Sequence, residues 1–175
     1  MRFNKINEEV LYTEETITRI ALKDIEILKE MAKQNRRKRV RLCAHKNVRD
    51  QLHEMLIVHM KNAFVRPHKH LNKSESWHII EGVADVIIFS DDGNIHDVIK
   101  LGDYASGRKF YYRITDPYYH SLLIRSEVVV FHETTSGPFE PEETIFAPWS
   151  PDERETEDVK TFIRDISTSI EQFIA

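Results

Sequence analysis

Four side chains of this 175-residue chain have the types and spacing to do chemistry together: His68, His70, Glu75 and His120. His68 and His70 lie two apart in Arg66-Pro67-His68-Lys69-His70, which reads as a strand running into a loop. Alternate residues of a strand share a face, so both imidazoles are presented together. Glu75 follows five residues later, enough chain to turn a corner and bring a carboxylate back to the same point. His120 enters a distant apolar strand, Tyr119-His120-Ser121-Leu122-Leu123, behind a turn at Asp116-Pro117. Three imidazoles and a carboxylate form a ligand set for one divalent transition metal, and Fe, Zn, Mn, Ni and Co all suit it. With nine His in the chain, a single HxH pair arises easily by chance, so the expectation rests on all four residues.

Strand alternation nominates the neighbours of such a centre. Arg66 shares the parity of His68 and His70 and is expected inward, where it would bind a ligand carboxylate or phosphate; the alternative is an ion pair at a barrel rim. Trp77 shares the parity of Glu75, as a stacking wall for a substrate or as plain core. Tyr112 is a candidate acid or donor, and Glu133 a candidate base. Arg41, Cys43 and His45 are also two apart, so Arg41 and His45 are candidate substrate contacts, or the rim of a half-buried strand. His53, His59, His78 and His96 are expected to point away.

The elements that must position these groups follow from hydrophobic periodicity. Residues 1–20 carry short β-rich patches (Val10–Tyr12, Thr16–Thr18) suited to a sheet edge or a second subunit. Asp24 to Gln34 places Ile25, Leu28, Met31 and Ala32 on one helical face. From Val40 to about Thr135 short apolar strands follow one another with no helix between them, and Ser90-Asp91-Asp92-Gly93-Asn94 is a hairpin turn signal. That pattern argues for an antiparallel jelly roll or barrel. Glu157 to Phe173 is an amphipathic helix with Val159, Phe162, Ile163, Ile166, Ile170 and Phe173 as its stripe. The expected organisation is an N-terminal extension and helix over 1–36, a β-barrel over 37–140, and a C-terminal loop and helix over 141–175.

Bulk properties exclude several classes. Net charge is −4 and the isoelectric point about 6.1, so no general attraction to nucleic acid or anionic membrane is expected, and the basic run Arg36 to Arg41 reads as a solvated helix end. The lone Cys43 excludes an internal disulfide and fits a reducing compartment. No signal peptide or apolar span is apparent, and a cytoplasmic protein is expected.

The string HxH, four residues, Glu75, six residues, Gly82 resembles the first motif of the cupin superfamily, and Asp116 to Leu123 resembles the second. The match is not complete: Asn62, Thr115, Pro117 and Ile124 stand where the motifs carry other residues, all at turn or packing positions. More specifically, Arg41-Leu42-Cys43-Ala44-His45, Phe64 to His70, Lys73 to Ser76, Phe89 to Gly93, Tyr119 to Leu122, Phe131-His132-Glu133, Gly137-Pro138-Phe139 and Phe146 to Trp149 are similar to the WbuC-type cupin fold metalloproteins of bacteria. The resemblance spans roughly residues 35–151. It implies an all-β cupin jelly-roll barrel with one metal inside, and a link to surface polysaccharide (O-antigen) biosynthesis. The function it suggests is an isomerase/epimerase-like or oxygenase-like enzyme acting on a small sugar or sugar-nucleotide-type metabolite. The alternatives are a non-catalytic, metal-dependent binding or sensing protein, and a metal-free epimerase-like barrel, which the intact His and Glu spacing argues against. A small-molecule ligand and a homodimer are the expected partners.

Overall fold

The computed structural model describes residues 1–174. Twelve strands build two facing sheets: β1 (Phe3–Lys5), β2 (Val10–Thr13), β3 (Arg39–Cys43), β4 (Leu52–Met60), β5 (His68–His70), β6 (Glu75–Glu81), β7 (Val83–Phe89), β8 (Ile95–Gly102), β9 (Tyr111–Ile114), β10 (Tyr119–Ile124), β11 (Val128–Ser136) and β12 (Thr144–Phe146). One sheet runs β1-β2-β3-β4-β11-β6-β9 and the other β12-β5-β10-β7-β8. Every pairing is antiparallel except β2 with β3. From β5 onward the chain passes repeatedly between the two sheets, which is how a jelly roll closes. The all-β jelly roll expected from the sequence is present.

Alternation along the strands sorts the residues into an interior and two outer faces. Cys43, Met55, Ile57, Trp77, Ile79, Tyr112 and Phe131 meet Ala84, Val86, Ile88, Leu122 and Ile124 of the opposite sheet inside the barrel. The intervening residues Leu11, Val40, Leu42, Leu56, Val58 and Val130 face outward and are covered by helix α1 (Leu22–Gln34) through Ile25, Leu28 and Ala32. The helix begins two residues before the expected Asp24 because Asp24 is an internal capping residue: its carboxylate accepts the Ala21 N–H at 2.9 Å. Helix α2 (Thr156–Ile174) covers the outer face of the second sheet, its Ile170 and Ile166 packing on Ile87, Phe89 and Tyr119.

The sheets reach beyond the expected 37–140. β1 and β2 form a hairpin whose second strand extends the larger sheet, whereas the Thr16–Thr18 patch forms no strand. β12 adds to β5 from within the expected C-terminal loop. Gly82 joins β6 to β7 at φ +84°, and a Cβ there would stand 2.1 Å from the Val128 carbonyl oxygen, so the turn accepts no side chain.

Candidate metal centre

β5 is only three residues long, held between β10 and β12, and its two histidines flank Lys69. His68 is the register partner of His120 on β10 and of Phe146 on β12. The pairing carries two imidazoles from adjacent strands to one level, and His70 joins them from one pleat further along. One ring nitrogen from each of His68, His70 and His120 lies within 4.8 Å of the other two.

Glu75 comes from the opposite sheet, as the first residue of β6, and is 3% exposed. The loop from Leu71 to Ser74 makes the crossing the spacing called for. Its two oxygens lie 3.4 Å from His70 Nε2 and 3.5 Å from His120 Nε2. The three imidazoles form the compact group, and the carboxylate approaches two of them from across the barrel.

The outer nitrogens of the rings are tied elsewhere, which orients the inner ones. His68 Nδ1 is 2.8 Å from the Arg66 carbonyl and His120 Nδ1 is 3.1 Å from the Tyr118 carbonyl. A carbonyl only accepts, so each Nδ1 carries the proton and each Nε2 presents a lone pair. His70 Nδ1 is 3.2 Å from the Thr144 hydroxyl. His120 Nε2 is fully buried and has no hydrogen-bond partner. A buried, proton-free imidazole nitrogen aimed at two others and a carboxylate is the donor set of a divalent metal site, so these residues fit the expected ion.

Electrostatics agree with that fit. Burial, reinforced by the neighbouring His120, pushes His68 down to about 3, keeping it a neutral ligand. Burial opposes ionisation of Glu75, but the imidazoles of His120 and His70 facing its two oxygens outweigh it and hold the carboxyl below its usual range. Burial likewise opposes charge on His120, yet the contact with Glu75 raises it. Glu75 is thus held in the ionised form that metal ligation requires of a carboxylate.

A continuous row of inward-facing side chains crosses the larger sheet beside this centre. Tyr12, Cys43, Met55, Glu133, Trp77 and Tyr112 are successive register partners on six neighbouring strands. Tyr112 donates its hydroxyl to Glu75 Oε1 at 3.2 Å, and burial with the nearby Glu75 charge raises it well above the ordinary tyrosine range, so it is a neutral donor. Glu133 is half-buried, and burial together with the charge of Glu75 pushes its carboxyl well up, toward the protonated form. It faces Trp77 across the ladder without completing a hydrogen bond to the indole N–H, which has no partner. Trp77 is 4% exposed and packs on Phe131 (4.7 Å between ring centres) and Tyr112 (5.2 Å), so it is a wall of the interior core.

Three expectations about neighbours are corrected. Arg66 does not reach the centre: its guanidinium bonds Ser150 Oγ (3.1 Å), pairs with Asp152 (3.3 Å) and lies over the Phe146 ring. Strand parity failed because β5 begins at His68, two residues past Arg66. His45 is also away from the three ligating rings, stacked face to face on His53 with centres 4.0 Å apart and edged by Tyr12. Burial lowers both members of that stack. His53 and His59 do not point away but are buried, His59 against Phe131 of the barrel core. His78 and His96 are exposed as expected. Arg41 lies in mid-strand on the inner face and is exposed. Thr144, which holds His70, was not singled out in the sequence; it sits 74 residues away and only the β5–β12 pairing brings it there.

The profile of a family described as a domain of unknown function (DUF6016) matches residues 20–101. No curated protein matches the sequence. Among solved structures, the chain is similar to a protein from Shewanella oneidensis at 14% identity, over 59% of this chain and 66% of that one, with a TM-score of 0.48. It is similar to the Cnp3 cupin domain of Schizosaccharomyces pombe at 12% identity, over 57% of this chain and 64% of that one, with a TM-score of 0.45. It is also similar to the capsular polysaccharide assembling protein CapF from Staphylococcus aureus at 15% identity, over 56% of this chain and 27% of that one, with a TM-score of 0.46. The likeness covers two thirds or less of each of those chains. No described helix is long and apolar enough to cross a membrane.

Proposed function

We propose that the chain is a cupin metalloprotein that holds one divalent transition metal through His68, His70 and His120, with Glu75 as the fourth ligand. The observation that carries this reading is the convergence of three imidazole nitrogens within 4.8 Å, two of them set as lone pairs by backbone carbonyls. A divalent ion there would supply Lewis acidity toward a carbonyl or hydroxyl of a bound metabolite. The chain's own residues supply the rest. Tyr112 orients Glu75 and offers a neutral hydroxyl, while Glu133 stands in the same row as a carboxyl able to hold or accept a proton.

This acid–base provision favours an isomerase- or epimerase-like enzyme over a purely binding protein. The WbuC-like motifs favour a sugar-derived metabolite of surface polysaccharide biosynthesis as substrate, in a cytoplasmic homodimer. The deciding measurement is metal content of protein purified without chelators, set beside His68→Ala and His120→Ala. About one ion per chain, lost in both variants while the fold persists, supports the centre. Metal retained in full by both variants refutes it.

A further inference from the structure

Several cations on the strands and loops of the two sheets are already neutralised. Arg39 pairs with Glu9 (3.1 Å) and Glu153 (3.3 Å), Arg66 with Asp152, Lys69 with Asp91 (2.8 Å) and Lys73 with Glu143 (3.6 Å). Arg41 differs. It stands in the middle of β3, and its register partner Ile57 and its neighbour Cys43 both belong to the barrel interior, so its side chain leaves the sheet on the inner face. Among the described residues its guanidinium has no ion pair, hydrogen bond or aromatic ring as partner.

The surrounding registers place Arg41 one pleat from the Cys43-to-Tyr112 row that includes Glu133, and Glu75 one pleat beyond that row and three strands across the sheet, on β6. Its charge also bears on Tyr12, Cys43, His45, His59 and Glu133, groups of that same inner face. A guanidinium carried on the inner face of a strand, open to solvent and joined to no carboxylate in an ion pair, is a preformed half of an ion pair. Its planar donors match two oxygens of a carboxylate or phosphate.

We propose that Arg41 is the anion anchor of this site and that the ligand of the metal centre is a small oxyanion-bearing metabolite, its carboxylate or phosphate at Arg41 and an oxygen donor directed toward His68, His70 and His120. The proposal deepens the metal-centre reading and rests on it.

Two matched pairs of probes test it by calorimetric titration of metal-loaded protein: malonate against malonamide, and glycerol 3-phosphate against glycerol. The charged member of at least one pair is expected to bind, and which pair shows it separates carboxylate from phosphate ligands. Arg41→Gln should weaken that binding about tenfold or more, the loss expected of a charge-assisted contact, with unchanged metal stoichiometry and melting temperature. Arg41→Lys should retain part of the preference for the charged member. Equal binding of charged and neutral probes, no binding of either anion, or undiminished anion binding in Arg41→Gln would overturn the assignment. Wild-type protein that takes up no metal sinks the centre itself, whereas metal-loaded protein indifferent to ligand charge sinks only the role of Arg41.

Discussion

Replacing Tyr112 by Phe removes one oxygen from the metal centre and almost nothing else. The ring keeps its packing on Trp77 at 5.2 Å and the strand its pairing with β6, so the perturbation isolates the 3.2 Å bond to Glu75 Oε1. A hydrogen bond to a charged acceptor contributes about 1.5–3 kcal/mol, and this long one belongs at the lower end. The metal-free protein should therefore lose about 1.5 kcal/mol, equivalent to a fall of roughly 3–6 °C in melting temperature for a chain of this size. Without that donor Glu75 turns less firmly toward the histidines, and loss of a partner that orients a ligand typically costs about 10–100-fold in metal affinity. Stoichiometry should stay at one ion per chain. Competition against a chelating dye reads the affinity, and thermal melts with and without chelator read the stability. A Tyr112→Phe protein that binds metal as tightly as wild type would show that the Tyr112 hydroxyl does not position Glu75 for the ion.

Other outcomes follow from single residues. Burial pushes His59 down from 6.5 to about 4, so its neutral form contributes stability that is fully present above about pH 6.5 and is lost as pH falls toward 4. The loss attributable to this residue is at most about 3 kcal/mol, and His59→Leu should flatten that part of a denaturant-derived stability profile; an unchanged acid slope would count against it. Gly82→Ala forces a Cβ onto the Val128 carbonyl at φ +84° and should cost about 2 kcal/mol or more by denaturant titration; a neutral result would mean the turn can rearrange. Arg66→Ala removes an ion pair with partly exposed members and should change stability by about 1 kcal/mol or less. It should leave metal content untouched, so loss of metal would return Arg66 to the site.

What the sequence determined by itself is local. Two histidines on one strand face, a carboxylate after a turn-length gap and an apolar strand entered by His120 depend on alternation and chain reach, which are properties of neighbouring residues. Successive apolar strands without intervening helices settled the all-β architecture, and the stripes of Ile25–Leu28–Ala32 and of Ile166–Ile170 settled the helices.

Tertiary structure decided what the local pattern could not reach. Arg66 looked inward by parity, but parity holds only within a paired strand, and β12 and the Ser150–Asp152 loop captured its guanidinium from 84 and 86 residues away. His53 and His59 appeared peripheral, yet the β4–β11 register buries them, because register between strands is set by the whole sheet rather than by either strand. The same register lines up Glu133, Trp77 and Tyr112 beside Glu75 and leaves Arg41 on the inner face without an ion pair, because which carboxylates come within reach of a guanidinium is set by the pairing of distant strands and not by its own neighbours in sequence.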